Sequence, residues 1–217
     1  MTLSATLGGR NITPSTPQTP PNPDNPGAEN AVGAAKTALR RRLLATRAAA
    51  TTTGVAAAAV SARLATLPEL AAVHVVLGYA ATGHEVSIDA LLRQLLAEGA
   101  TVCLPWVEGR RLGLATVSDL DADLAPGWRG VREPRVPRDA LRPHRLDAVI
   151  APGVGFDGLG HRLGYGGGHF DRLLRTVRPG VPVIGVALDE QVVTAVPVAD
   201  HDRPVNVIVT PTRTLRP

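Results

Sequence analysis

The chain has a single cysteine, Cys103, a single lysine, Lys36, and six aromatic residues among 217. One cysteine excludes an internal disulfide and a cysteine-built zinc cage. No apolar run approaches the roughly 20 residues needed to span a bilayer. The longest, "VGAA" and "VAAAAV", are short and alanine-rich. The N-terminus has no basic stretch followed by an apolar core, so no secretory leader is expected and the cytoplasm is the expected compartment. Aromatics at 3% argue against a nucleic-acid interface, where they usually interleave with basic residues.

What is present is an apolar, arginine-rich chain. Hydrophobic residues make up 44% and charged residues 19%, the composition of a soluble globule. The length suffices for one large domain or two small ones. A net charge of +4 favours anionic partners such as nucleotides, polyglutamates, nucleic acid or acidic lipid. Arginine supplies 22 of the 23 basic residues. GC-rich coding accounts for arginine in place of lysine, which makes the surviving Lys36 stand out. Residues 1–30, with "TPSTPQTPPNPDNPGAEN", cannot bury enough apolar surface to order themselves and read as a disordered extension. Residues 31–217 read as one domain.

From Ala34 the spacing predicts two helices, "AAKTALRRRLLATRAAA" and "TTTGVAAAAVSARLATL", with a break near Thr51 to Gly54. Lys36 and Arg40 share a face. Standing alone, that segment reads as a solvated basic stripe, with Arg41, Arg42 and Arg47 nearby. Strands and helices then alternate. Strands are expected at "VHVVLGYA" (Val73 to Ala80), "TVCLPWV", "LGLATV", "LDAVIAPG" (Leu146 to Gly153), "VPVIGVAL" and "NVIVTP". Helices are expected over Ser87 to Gly99, capped by Ser87, and from the glycines near 166 to about Val177. Asp119 to Arg145 is expected to be mainly loop. Continuous apolar strands joined by helices imply an α/β fold, a mostly parallel central sheet flanked by helices in a single domain. Ligands in such sheets sit beyond the carboxyl ends of the strands.

The stretch after "LDAVIAPG" occupies that position. It lacks the lysine of a Walker loop. Gly153, Gly155 and Gly158 match a dinucleotide fingerprint, but no helix opens at the third glycine. What remains is "RLGYGGGHFDRLL", a glycine turn running into a helix start. Unpaired amides there attract anions, and glycine lets the backbone approach a phosphate. Arg162 can add a bidentate contact, and Asp171 can face the phosphates as a Mg²⁺ ligand or complement the helix dipole. Phe156, Tyr165 and Phe170 fall in this short region. They can wall a planar ligand, and Phe156 and Phe170 can equally be core.

The run "APGVGFDGLGHRLGYGGGHFDRLL" resembles the signature of the 5-formyltetrahydrofolate cyclo-ligase family, P-G-x-x-F-D-x-x-G-x-R-L-G-x-G-x-G-[YF]-[YF]-D. "KTALR" (Lys36 to Arg40), Glu85 in "GYAATGHEVSI", "REP" at Arg132 to Pro134 and "DRPVNVIVTP" extend the resemblance from Lys36 to Pro211. It implies a Rossmann-like fold of the NagB/RpiA/CoA-transferase-like kind. It implies an ATP- and Mg²⁺-dependent ligase of folate metabolism, converting 5-formyltetrahydrofolate to 5,10-methenyltetrahydrofolate with release of ADP and phosphate. Carried over, Lys36, Arg162 and Asp171 are the catalytic residues. Lys36, Arg40 and the loop Arg162, Leu163, Gly164, Tyr165, Gly166, Gly167, Gly168, His169 and Phe170 hold the nucleotide. Ala80, Glu85, Tyr165, Gly166, Gly167, Gly168 and His169 border the folate. Asp171 and Asp202 hold Mg²⁺. The expected partner is the small-molecule substrate, with or without a polyglutamate tail; membrane, nucleic acid and a second subunit are not expected.

The sequence departs from the family pattern at His169-Phe170, where a Tyr-Tyr pair is frequent, at Val86 to Ile88, and at Asn206, where Asp is frequent. The alternatives are a non-catalytic relative that binds RNA or another polyanion through its arginines, and a sugar-phosphate isomerase or CoA-transferase relative.

Overall fold

The computed structural model describes residues 26–50, 54–135 and 138–217. Helix α1 (Pro26–Ala49) begins ahead of Ala34. Proline is tolerated in a first helical turn, and Glu29 there complements the helix dipole, so the proline tract ends by starting the helix. Residues 1–25 of the expected extension, and 51–53 of the expected break, lie outside the described residues; 26–30 are helical. Helix α2 (Gly54–Ala65) follows. No single helix among the described residues is long and apolar enough to cross a membrane.

The remaining elements are β1 (Val75–Leu77), α3 (Asp89–Ala97), β2 (Thr101–Glu108), β3 (Arg111–Val117), β4 (Leu124–Pro126), β5 (Arg132–Pro134), β6 (Ala148–Pro152), β7 (Gly155–Asp157), β8 (Arg162–Leu163), α4 (His169–Leu174), β9 (Val183–Val186), β10 (Val192–Val193), β11 (Val207–Val209) and β12 (Thr214–Leu215). Seven strands form the main sheet in the order β12-β11-β9-β6-β1-β2-β3. Its five inner strands are parallel, and antiparallel β3 and β12 close the edges. Each inner strand feeds both faces, because successive side chains alternate. Val76, Ala148 and Ile150 pack with Leu64, Leu91 and Leu92 on one side. Leu77, Val149 and Ala151 pack with Phe156, Leu173 and Ile208 on the other. Burial on both faces is why these strands read as unbroken apolar runs.

Cys103 sits in the second layer. Burial, with the charge of Asp139 adding, pushes its thiol up to about 12, so it remains an unreactive core group.

Asp119 to Arg145 is mainly loop, as expected, but it also contains the β4–β5 hairpin, with Leu124 paired to Pro134 and both buried. Prolines are compatible with such a short two-stranded ladder, which needs few donors. Three other expectations, the end of α4, the length of β1 and the cap of α3, are corrected. Helix α4 stops at Leu174, where Thr176 N–H closes a tighter turn on the Leu173 carbonyl at 2.8 Å. Strand β1 is shorter than the apolar run around it. Ser87 does not cap α3, which begins at Asp89 with Ile88 at the cap position; from one residue further out its Oγ accepts the Asp89 N–H at 3.2 Å. Gly99, at φ +88°, turns the chain out of that helix.

Candidate active site

The five parallel strands run β2-β1-β6-β9-β11 in space. The chain leaves β1 toward β2 on one side and later fills β6, β9 and β11 on the other. The β1/β6 border is therefore the switch point, where the connections diverge and leave a crevice. A cavity of about 790 Å³ opens there, within the range of small-molecule sites. Residues after β1 (Tyr79, Ala80, Glu85), the end of β6 (Pro152), helix α1, the glycine turn and the β4–β5 connection line it. Every candidate residue lies on its wall: Lys36, Arg40, Ala80, Glu85, the whole run from Arg162 to Asp171, and Asp202.

One end is cationic. The β7–β8 hairpin pairs Arg162 with Phe156, and Asp157 fixes its turn by accepting the N–H groups of Leu159 and His161 at 3.0 and 3.1 Å. Arg162 is only 5% exposed. Its Nη2 donates to Asp171 Oδ1 at 2.6 Å and its Nη1 to the Pro152 carbonyl at 3.3 Å, while its buried Nε has no protein partner. Lys36 Nζ donates to Asp202 Oδ2, which also accepts the Ala199 N–H at 2.8 Å. Arg40 Nε donates to the Gly164 carbonyl at 2.8 Å. The turn requires left-handed backbone at Gly166 (φ +101°) and Gly168 (φ +63°). Arg172 ties it down, donating to the Gly167 and Arg110 carbonyls at 2.6 and 2.8 Å. Helix α4 has six residues, so its dipole is weak and the side chains carry most of the positive field. Its first helical bond runs from Arg172 N–H to the Gly168 carbonyl. The amides of His169 to Asp171 have no partner within the helix.

The other end holds a carboxylate. Glu85 Oε1 accepts the Tyr165 hydroxyl at 2.7 Å and Oε2 accepts the Thr82 N–H at 2.8 Å. Burial holds its carboxyl above the usual glutamate range, against the pull of those two bonds and of the Arg47 charge. Tyr165 is half-exposed, and burial together with the Glu85 charge raises its phenol.

The sequence left several wall residues unassigned. Trp128 lies edge-on to His169 at 6.1 Å between ring centroids, and Arg129 covers the Trp128 ring at 4.5 Å. Trp106 lies directly across from Gly113, whose missing side chain leaves room for the ring. Glu133 is buried and accepts the Val107 N–H at 3.1 Å; the "REP" motif was its only signal. Arg47 behaves least as expected. It is 6% exposed while Arg41 and Arg42 face outward. Its signal was the spacing Lys36, Arg40, Leu43, Arg47, one face of a helix. Phe156 is core, fully buried, and Gly153 and Gly185 make room for its ring. Phe170 lies on the cavity wall with the Arg162 guanidinium 5.6 Å above it.

Among the described residues, no group of three or more His, Cys, Asp or Glu side chains could cage a metal. Asp171 and Asp202 are two separate carboxylates, each held by a cation. That set suits an ion carried in with phosphate oxygens, as Mg²⁺ commonly is, better than a resident one.

The 5-formyltetrahydrofolate cyclo-ligase family profile matches residues 32–211. A 5-formyltetrahydrofolate cyclo-ligase of Escherichia coli K12 is 32% identical over 155 residues, covering 70% of this chain and 85% of that protein. One from Mycolicibacterium smegmatis is 31% identical over 143 residues, covering 64% and 74%. The solution structure of Aquifex aeolicus 5,10-methenyltetrahydrofolate synthetase superposes with a TM-score of 0.72 at 34% identity, over 83% of this chain and 92% of that one. The same signature run that walls the cavity thus lies inside a match spanning nearly all the folded chain, and the protein belongs to the 5-formyltetrahydrofolate cyclo-ligase family of folate-metabolising ligases.

Proposed function

We propose that the chain converts 5-formyltetrahydrofolate and ATP to 5,10-methenyltetrahydrofolate, ADP and phosphate, with Mg²⁺. The observation that carries this reading is the polarity of one cavity: Lys36, Arg40 and Arg162 gather around the glycine turn, and Glu85 stands at the other end. An anionic polyphosphate and an N–H-bearing pterin are complementary to those two ends.

The reaction balances in two steps. The formyl oxygen attacks the γ-phosphorus and ADP leaves. The neighbouring aniline nitrogen then attacks the activated formyl carbon and gives up its proton to solvent, and phosphate departs with the former formyl oxygen. Phosphoryl transfer needs positioning and charge neutralisation rather than covalent catalysis. Lys36, Arg40 and Arg162 bind the phosphate oxygens, and the left-handed glycines keep side chains out of their way. Arg162 arrives with a buried, unpartnered Nε. Such a donor costs about 1–3 kcal/mol. Lys36 and Arg162 are paired with Asp202 and Asp171. Those two carboxylates would hold Mg²⁺, which would neutralise charge developing on the phosphate oxygens. Glu85 accepts the paired N–H donors of the pterin edge, with Ala80 beside it.

Purified protein with ATP, Mg²⁺ and 5-formyltetrahydrofolate is expected to produce the methenyl chromophore, and Lys36→Ala to raise the KM for ATP with folate affinity little changed. An inactive preparation that binds RNA tightly, measured beside an active relative, would favour the polyanion-binding alternative. If Lys36→Ala leaves ATP kinetics untouched, the lysine belongs to the surface.

A further inference from the structure

Helix α1 delivers a second functional group, deeper than the phosphate cations. We propose that Arg47 is a positioning residue for the folate end of the site, acting through Tyr165 to hold Glu85 as an oriented carboxylate. The proposal deepens the folate reading above and rests on it.

The geometry leaves one assignment of donors. Arg47 Nη2 lies 2.6 Å from the Tyr165 hydroxyl, and its guanidinium is 5.5 Å from that ring's centroid. A guanidinium can only donate. The hydroxyl must therefore accept from Arg47, and its single proton points to Glu85 Oε1, 2.7 Å away. The donation from Arg47 polarises that hydroxyl and strengthens the bond it gives. Thr82 N–H fixes the other carboxylate oxygen. Each oxygen keeps a lone pair for a ligand, so the carboxylate is aimed without being used up.

Burial is the second argument. Arg47 is 6% exposed, and burying a charge is unfavourable unless it serves an opposite one. The anion it serves is one hydroxyl away. The groups facing Glu85 are Arg47 from α1, Tyr165 from the glycine turn and Tyr79 from the end of β1, with exposed His84 next to it in the chain. Tyr79 spends its hydroxyl on the Val86 carbonyl at 2.6 Å. Arg47 is thus the cation that opposes the burial penalty on the Glu85 charge.

The test uses the full-length protein and three variants. Arg47→Met keeps the length and removes the charge, Arg47→Lys keeps the charge, and Tyr165→Phe breaks the relay at a half-exposed ring without touching the core. The Glu85 side-chain carboxyl, assigned by its loss in Glu85→Gln, is titrated by carbon NMR without ligand. Its midpoint is expected to move to higher pH in Arg47→Met and in Tyr165→Phe, and less in Arg47→Lys. Binding of 5-formyltetrahydrofolate is expected to weaken in Arg47→Met at any pH below the raised midpoint, approaching tenfold per unit of midpoint shift where both midpoints lie above the measuring pH. The deficit should shrink as the pH is raised, with the KM for ATP unchanged. A midpoint unmoved in Arg47→Met would overturn the proposal, even if that variant melts early, because a packing residue lowers stability without moving a carboxylate's titration. Should Arg47→Met not fold, the neutral, polar Arg47→Gln is read in the same way and decides. A midpoint that moves in a protein whose parent form binds no 5-formyltetrahydrofolate would instead overturn the folate reading beneath it.

Discussion

Two groups of glycines lie within sixteen residues of each other and do different work. Gly153 and Gly155 flank the β6–β7 junction in ordinary backbone conformations. Their requirement is room: a Cβ on Gly153 would sit 2.5 Å from the Phe156 ring, and one on Gly155 would overlap Leu43. Gly166 and Gly168 are half-exposed or exposed and sit at positive φ, so their requirement is backbone handedness. The first pair resembles a dinucleotide fingerprint in sequence and is a packing device in space. The second walls the cavity. A glycine pattern acquires meaning only from what a side chain at that place would strike or twist.

Substitutions separate the two. Gly153→Ala is expected to show the largest loss of stability, about 1–3 kcal/mol from overpacking against a fully buried ring, read from denaturant midpoints. Nucleotide affinity of the folded fraction should stay near that of the parent. Gly168→Ala is expected to cost less, about 1–2 kcal/mol from φ +63°, yet to weaken ATP binding at least tenfold by calorimetry, since its Cβ also displaces Arg172, 2.8 Å away. Gly158→Ala meets nothing within 4 Å and has no positive φ, so both readouts should stay within about 0.5 kcal/mol. Loss of ATP binding in Gly153→Ala at full stability would break the comparison.

A smaller effect concerns pH. Burial raises the folded-state pKa of Glu85 above its unfolded value. Its contribution is therefore most favourable at low pH, and stability falls as pH rises through the folded pKa. Glu85→Gln removes that titration but leaves the buried Arg47 without its anion. Its stability is expected to fall less steeply with rising pH than the parent's, while folate binds more weakly, as measured by thermal melts across pH alongside titrations with 5-formyltetrahydrofolate. A pH dependence of stability identical to the parent's would show that Glu85 does not contribute to it.

The parallel sheet was legible because its strands are buried on both faces and spell continuous apolar runs, as "LDAVIAPG" does. Strands β7, β8, β10 and β12 were not, since two or three residues cannot display a period. The β4–β5 hairpin hid among prolines and arginines whose usual signal is loop. In the site, the signature run and Lys36 were readable from residue type and spacing. Arg47 was not, because a helix rich in arginine shows which residues are charged but not which face the rest of the chain covers. Its partner Tyr165 lies 118 positions away, a separation that no local pattern spans. Trp106 and Trp128 were missed for the same reason, since tertiary contact alone brings them to the cavity.

The central claim is that one cavity brings the γ-phosphate of a nucleotide against the formyl oxygen of the folate. Turnover of substrate carrying oxygen-18 in its formyl group tests this directly. Direct attack on phosphorus is expected to deliver the label into the inorganic phosphate released, one atom per turnover. Unlabelled phosphate, with the heavy oxygen recovered in water, would contradict the account.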